Sequence, residues 1–263
     1  MKHVLRIPTQ EQYAYVESEF EGTVEEALAE YTRITNLVKA KPNSFKKIVT
    51  FTGETILYDA VNHRYTDLDG KTLIGGSTYK ASLETPFDLD RIATATAKKY
   101  EIEESDIRDM WKRNGEISSG FGTALHAAME QWFKHRLHGT ERNYHLPKHP
   151  ILKQIVETFP LKDCFAIPEV FVSDVQNRRV GQIDLLILDT PPLESKHKEK
   201  EGFIIDYKSD AEVEKNVSGH FNQLSYYAHI LMAHGWIIHE LQIWNYTDKW
   251  TKYTSQVLDL KVK

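Results

Sequence analysis

Two carboxylates and a lysine interrupt apolar stretches of the chain. Asp184 divides a segment that would otherwise be an ordinary buried strand, Asp206 closes a second apolar run, and Lys208 lies two residues further on. Residues i and i+2 of a strand point to the same face, so Asp206 and Lys208 project together. Carboxylate oxygens are ligands that suit Mg²⁺ or Mn²⁺. The pattern predicts a hard-cation site beside the positive charge of Lys208. The backbone carbonyl of Tyr207 can also face this cation site.

Several strands and helices must bring these residues together. Apolar and alternating runs predict three consecutive strands, then a helix and a last strand. These elements are Phe165–Ser173, Arg179–Leu188 and Gly202–Tyr207, a helix from His220 to His234, and a strand at Leu241–Tyr246. A long helix is predicted before them, starting after Gly120 and ending by Gly139. This order predicts an α/β core with a mixed central sheet flanked by helices.

The beginning of the chain is predicted to be a small unit of its own. Residues 1–40 predict two strands and a helix, an α+β appendage. Thr23 stands three residues before Glu26, which is the spacing of a helix capping box. The basic segment 39–47 contains Pro42 and lacks periodicity, so it is predicted to be a linker.

The main domain is predicted to span residues 47–263. Asp69-Gly70 predicts a turn between two strands. Two helices follow, at 87–100 and at 104–113, and the second is predicted to end near Asn114-Gly115.

Composition excludes several classes of protein. The chain has 263 residues and a formal net charge of −5, so it lacks the overall basic character of many nucleic-acid-binding proteins. A local basic surface is still possible, and residues 134–153 offer either a phosphate-binding track or a solvated charged surface. Cys164 is the single cysteine, so the chain alone cannot supply a disulfide or four cysteines for an iron–sulfur cluster. We expect a cytoplasmic protein without signal peptide or membrane contact.

The segment 203–210, FIIDYKSD, preceded by VGQIDLLIL, resembles the PD-(D/E)xK nuclease motif. Further elements resemble the RecB-like exonuclease branch of that superfamily, in particular phage-encoded exonucleases and the mitochondrial genome maintenance exonuclease group. The resemblance covers about residues 115–232. The elements occur in the order of that branch: His126 after Gly122, Glu169, Asp184, Asp206-x-Lys208, and Gln223 with Tyr227.

The resemblance implies a role for each of these residues. His126, Asp184 and Asp206 would be the metal ligands with the Tyr207 carbonyl, and Glu169 would hold a second metal or a metal-bound water. Lys208 would orient the attacking water or stabilise developing charge. Gln223 and Tyr227, one turn apart on a helix, would position the DNA backbone or Lys208. Glu130, four residues after His126, would fix the tautomer of the imidazole.

The implied fold is a restriction-endonuclease-like core, and the implied function is Mg²⁺- or Mn²⁺-dependent hydrolysis of DNA. A DNA exonuclease acting on single strands or free ends in recombination, repair or phage genome processing is the main hypothesis. Its location would be the host cytoplasm if the protein is phage-encoded. The alternatives are a structure-specific endonuclease on the same core and a non-catalytic DNA-binding scaffold. Residues 1–40 suggest a docking module for a recombinase or single-strand-binding protein.

Aromatic residues near the predicted site offer a further hypothesis. Trp111, Trp132 and Phe133 could stack on unpaired bases, although Trp132 and Phe133 are more typical of a core.

Overall fold

Nine of the described strands form one mixed sheet, and the first two form a separate two-stranded sheet. The computed structural model describes residues 2–8, 15–23, 26, 45–85, 87–137, 150–158, 165–189 and 200–261. The strands are β1 (Lys2–Pro8), β2 (Tyr15–Glu21), β3 (Phe45–Val49), β4 (Thr55–Asp59), β5 (Arg64–Thr66), β6 (Thr72–Gly75), β7 (Phe165–Asp174), β8 (Arg179–Leu188), β9 (Lys200–Lys208), β10 (Trp236–Tyr246) and β11 (Trp250–Ser255). The helices are α1 (Gly76–Leu83), α2 (Leu89–Tyr100), α3 (Glu104–Leu137), α4 (Pro150–Thr158) and α5 (Val213–Ala233).

The sheet has the strand order β11-β10-β9-β8-β6-β5-β4-β3, with β7 also paired to β8. Antiparallel pairs join β7 to β8, β8 to β9, and β10 to β11. Strand β10 runs parallel to β9, and α5 is the crossover between them. The predicted α/β architecture with a mixed central sheet flanked by helices is confirmed.

Two helices cover opposite faces of the central strands. Helix α3 packs Leu125, Met129 and Trp132 against one face. Helix α5 packs Phe221 and Leu224 against the other. Because both faces are covered, β8 and β9 contain the continuous apolar runs Leu185–Leu188 and Phe203–Ile205 rather than a strict alternation, as expected for strands buried on two sides.

Helix α3 corrects the prediction of two separate helices in this region. It is one continuous helix of 34 residues from Glu104, and it passes through Asn114-Gly115 without a break. A glycine inside a helix costs only about 1 kcal/mol relative to alanine, and no proline interrupts the segment. The long helix therefore begins well before Gly120.

Other element boundaries also differ from expectation. Helix α5 begins at Val213, and β10 begins at Trp236. Strand β11 pairs antiparallel with β10 and was not predicted.

The N-terminal unit is described only in part. Strands β1 and β2 form an antiparallel pair. The amide of Thr23 donates to Glu26 Oε2 at 2.9 Å, and the amide of Glu26 donates to Thr23 Oγ1 at 3.2 Å, which is the reciprocal bonding of a capping box. The rest of the predicted helix and the linker up to residue 44 lie outside the described residues. No described helix has the length and hydropathy of a membrane span.

The ring of Tyr227 occupies a slot between two glycines. A Cβ atom on Gly76 or on Gly181 would overlap this ring. Gly76 opens α1 and Gly181 belongs to β8, so the slot lets both elements approach α5 closely. The slot holds Tyr227 close to the central strands.

We predict that Gly181→Ala lowers the free energy of unfolding by about 1–3 kcal/mol, because the added methyl group overpacks the Tyr227 slot. Gly120→Ala is the matched control, since nothing lies within 4 Å of its added Cβ on helix α3. The control should be neutral or stabilising by up to about 1 kcal/mol. Urea denaturation measures both changes, and equal effects of the two substitutions would contradict the packing explanation.

Candidate metal centre

The normal alternation of side chains is broken at one level of β7 and β8. In β8, Ile183 and Leu186 both pack in the cluster beneath α5, although they are three residues apart. In β7, Ile167 and Val170 do the same. Side chains of a regular strand alternate faces with a period of two, so both strands have two successive residues on the α3 face here.

This irregularity turns Glu169 and Asp184 toward helix α3. The two residues face each other, since Pro168 pairs with Leu185 and Val170 with Ile183. Glu169 has a φ of 51°, in the left-handed region that non-glycine residues rarely adopt. Strained backbone of this kind persists where the surrounding structure imposes it, often at functional sites.

His126 meets these carboxylates from helix α3. Its Nε2 lies 3.0 Å from the carbonyl oxygen of Tyr207, so Nε2 carries the proton that is donated to that oxygen. Its Nδ1 faces Asp184 Oδ2 at 3.6 Å and Glu169 Oε1 at 4.0 Å. One turn earlier, a Cβ on Gly122 would lie 3.3 Å from Ser209 Oγ, so glycine permits the close approach of α3 to the end of β9.

The arrangement has the chemistry of a divalent-cation site. Ligand atoms of His126, Glu169 and Asp184 all lie within 4.8 Å of one another. Ligands bound at about 2.1 Å from one cation are separated by about 3.0–4.2 Å, so the observed separations are close to what a single ion requires. One nitrogen and two carboxylates also match the donors that Mn²⁺ and similar ions accept. The residues therefore fit a divalent cation, and its identity as Mg²⁺ or Mn²⁺ stays a prediction.

The acidic members of the site resist ionisation without a cation. Burial, then the charge of Asp184, raises the pKa of Glu169 to about 8. Burial also raises the pKa of Asp184 to about 6, despite the favourable charge of His126. Asp184 Oδ2 accepts a hydrogen bond of 2.8 Å from the Tyr207 amide, which fixes its orientation. A bound cation would favour the charged form of both carboxyls.

Asp206 and Lys208 form a pair of their own next to this cluster. Lys208 Nζ lies 2.6 Å from Asp206 Oδ2, and Asp206 is not one of the three clustered ligands. Burial opposes ionisation of Asp206, but the ammonium of Lys208 outweighs it and lowers the pKa of the carboxyl. Burial likewise opposes the charge of Lys208, and Asp206 reverses this and raises the pKa of the amine. Lys208 is therefore held as a cation, as predicted.

Gln223 and Tyr227 interact with each other on α5. Gln223 Nε2 donates to the Tyr227 hydroxyl at 2.8 Å. Burial raises the pKa of Tyr227 well above its ordinary value, so the phenol stays protonated. The pair lies beneath the strands that carry Asp184 and Asp206, and its role toward DNA stays a prediction.

Glu130 lies apart from the imidazole that it was expected to orient. Its buried carboxylate pairs with Lys134, one turn further along α3. His126 Nε2 instead donates a hydrogen bond to the Tyr207 carbonyl, and this bond fixes the tautomer. That carbonyl, which was expected to bind metal, thus already accepts a hydrogen bond from the histidine.

Two polar residues near the site were missed by sequence reasoning. Gln182 Nε2 donates to Glu169 Oε2 at 2.7 Å and so orients that carboxylate. Its position two residues before Asp184 was the available signal, because i and i+2 share a strand face. His220 on α5 is buried near Lys208 and Asp206, and burial followed by the charge of Lys208 lowers its pKa to about 4. Its spacing of three from Gln223 places both on one helix face.

Aromatic and basic residues were predicted to contact DNA, and the structure describes only some of them. Trp132 and Phe133 are buried in the core under α3 and cannot stack on bases. Trp111 is half-buried and packs edge-on against Phe87. Most of the basic segment 134–153 lies outside the described residues.

Comparisons with known proteins leave the family of this chain open. No family model matches the sequence, and no curated protein matches it. A crystal structure of a protein designated SSO0001 aligns with 69% of this chain and 75% of its own, at 12% identity and a TM-score of 0.29. Similarity at this level carries no argument about fold or function.

We predict that Glu169→Gln makes the metal-free protein more stable than wild type at pH 8.5, by about 1–3 kcal/mol. The raised pKa of Glu169 means that its contribution to stability is fully present below about 4.5 and is lost as pH rises through about 8. The amide keeps the shape of the protonated carboxyl and does not titrate. Thermal unfolding in EDTA between pH 5 and pH 8.5 measures the difference between the two proteins.

The same variant should lose most of the stabilisation that Mn²⁺ gives. In wild type this stabilisation should increase from pH 6 to pH 8, because metal ligands must be deprotonated to bind. Glu116→Gln, which changes an exposed glutamate of α3, is the matched control and should follow wild type. Parallel pH profiles for Glu169→Gln and wild type would contradict the assignment of Glu169 as a ligand.

We also predict that Tyr207→Phe is stabilising by about 1–3 kcal/mol. Within the described part of the chain, the buried hydroxyl of Tyr207 has no hydrogen-bond partner, while its backbone makes the contacts to His126 and Asp184. Urea denaturation would measure the gain. Unchanged metal binding should accompany it, because the substitution leaves the backbone groups in place.

Proposed function

We propose that this protein is a divalent-metal-dependent deoxyribonuclease with a restriction-endonuclease-like core, acting as an exonuclease on DNA ends. The observation that carries the proposal is the convergence of His126, Glu169 and Asp184 beside the half-buried cation of Lys208. A cation site next to a fixed positive charge suits chemistry on a phosphodiester, where negative charge develops on the phosphate oxygens.

The protein's own groups would act in defined ways. His126 Nδ1 and the carboxylates of Glu169 and Asp184 would hold Mg²⁺ or Mn²⁺, which when bound activates water and neutralises charge on the phosphate. Lys208 would stabilise the charge that develops on the phosphate during attack, and its proton stays in place because Asp206 raises its pKa. Asp206 acts chiefly by orienting that lysine.

The preference for DNA ends depends on the order of the sequence motifs. His126, Glu169, Asp184, Asp206-x-Lys208 and Gln223 with Tyr227 follow one another as in RecB-like exonucleases. The spatial arrangement adds support, because His126, Glu169 and Asp184 cluster where the Tyr207 amide of β9 also binds Asp184, although these residues are spread over about 80 positions of the sequence.

We predict that Lys208→Gln reduces DNA cleavage at least about 100-fold, the usual cost of removing a group that stabilises charge in the transition state. The assay follows end-labelled linear single- and double-stranded DNA with Mg²⁺, Mn²⁺ or EDTA. Lys200→Gln is the matched control, because Lys200 lies at the opposite end of the same strand over the ring of Trp236. Activity should require metal and survive the control substitution.

The design separates loss of chemistry from loss of folding. Lys208→Gln leaves the buried carboxylate of Asp206 without its cation, which destabilises the protein. Asp206→Asn/Lys208→Gln removes both charges and should restore stability without restoring cleavage. Thermal unfolding of each variant gives the comparison.

A covalently closed circular DNA distinguishes the modes of cleavage. An exonuclease leaves the circle intact, whereas its cleavage would favour an endonuclease on the same core. Absence of cleavage on every substrate and with every metal, with DNA binding retained, would overturn the proposal in favour of a binding scaffold.

A further inference from the structure

A polar surface pocket of about 780 Å³ lies between α1, the first half of α5 and the end of the described chain. Its lining is rich in ammonium, amide and hydroxyl donors, which come from Lys80, Lys215, Lys261, Asn216, Ser218 and Asn222. Glu84 is the acidic member of the lining, and Glu212 beside the pocket pairs with Lys215, so three lysines face two glutamates and the net charge stays positive. Its volume is in the range of pockets that hold small ligands.

The pocket depends on a close approach of two helices. Gly219 of α5 faces α1, and a Cβ there would lie 2.7 Å from Glu84 Oε1 and 3.0 Å from Lys80 Cε. Lys80 can therefore lie across α5, where its Nζ is 3.7 Å from Glu84 and 3.3 Å from His220 Nδ1. The side chain of Lys80 is only 20% exposed, so this ammonium is held in place by the fold.

His220 connects the pocket to the candidate metal centre. It is buried behind Lys80, and it lies within electrostatic range of Lys208 and Asp206. Its Nδ1 accepts from the Lys80 ammonium, as a neutral imidazole can. Lys80 is therefore joined by a hydrogen bond to a histidine that lies within electrostatic range of Lys208.

The chemistry of the lining indicates what it binds. Lysines, amides and hydroxyls are the groups that contact nucleic-acid phosphates. Leu83 is the only large apolar side chain among the lining residues, so the pocket does not suit an apolar ligand or an unpaired base.

We propose that this pocket binds backbone phosphates of the DNA strand next to the bond that is cleaved. The inference rests on the proposed nuclease function and adds a second contact region to it. Lys80, Lys215 and Lys261 supply the positive charge, and the pocket lies on the same side as Lys208, because His220 contacts Lys80 and is within electrostatic range of Lys208. The bound strand would thus be held on the α5 side of the metal centre.

The test is DNA binding at different salt concentrations. The probe is a fluorescein-labelled single-stranded 20-mer, followed by anisotropy with Ca²⁺ in place of Mg²⁺. Replacing three phosphate-contacting lysines, as in Lys80→Gln/Lys215→Gln/Lys261→Gln, should reduce the slope of log K against log[salt] by about 2 and weaken binding about 100-fold at 0.1 M salt. Lys71→Gln/Lys98→Gln/Lys99→Gln removes the same charge outside the pocket and should leave the slope unchanged.

A second variant controls for the possibility that replacing Lys80 disrupts the contact between α1 and α5. Lys215→Gln/Lys261→Gln keeps Lys80 in place and should still reduce the slope by about 1.4. Orthophosphate and a dinucleotide serve as competitors. Competition by the dinucleotide alone supports a strand-binding site, whereas equal competition by orthophosphate at the same concentration would assign the pocket to free phosphate and overturn the strand proposal.

Cleavage by the wild-type protein separates the two proposals. If wild type cleaves DNA but the pocket variants keep its salt slope, only the pocket proposal is wrong. If the pocket variants lose the slope but wild type never cleaves, the pocket proposal is supported and the nuclease proposal is wrong. Equal loss of slope in the control variant would mean that only total charge matters, and absence of binding by wild type would contradict the pocket proposal.

Discussion

The hydrogen bond from His126 to the carbonyl oxygen of Tyr207 determines the geometry of the candidate site. It joins helix α3 to the end of β9, and it leaves the second imidazole nitrogen free to face Asp184 and Glu169. The amide of the same tyrosine holds Asp184, so one peptide segment orients two of the three clustered ligands. Metal ligands are commonly oriented by hydrogen bonds of this kind. The side chain of Tyr207 packs in the core beneath α3, while its backbone carbonyl and amide bind His126 and Asp184.

The candidate site has two adjacent parts. The clustered ligands include His126 of α3, and the Asp206–Lys208 pair lies next to them, with His220 of α5 nearby. This separation keeps the ammonium of Lys208 with its own carboxylate, so the other two carboxylates are left for a cation. Buried carboxylates that lack compensation cost stability, and the left-handed backbone at Glu169 adds strain. The fold tolerates both costs because a large apolar core surrounds the site.

Much of the architecture was predictable because it follows from local pattern. Apolar runs identified β8 and β9, and the spacing of Thr23 and Glu26 predicted the reciprocal hydrogen bonds that these two residues make. Prediction failed where a local signal was weak against tertiary packing. Asn114-Gly115 suggested a helix end, yet α3 continues because glycine only lowers helix propensity. Strand β11 was missed, although it pairs with β10 over most of its length.

The sequence by itself determined the types of residue available for chemistry: Asp184, Asp206 and Lys208 in apolar strands, and the i and i+2 relation that pairs the last two. It could not determine which carboxylates meet. A strict period of two would place Asp184 on the same face as Leu186 and Leu188, toward α5. Only the irregular backbone shared by β7 and β8 turns it toward His126, and that irregularity arises from pairing between strands. Packing between α3, α5 and the sheet therefore determines that Glu169, rather than Asp206, is the third clustered ligand.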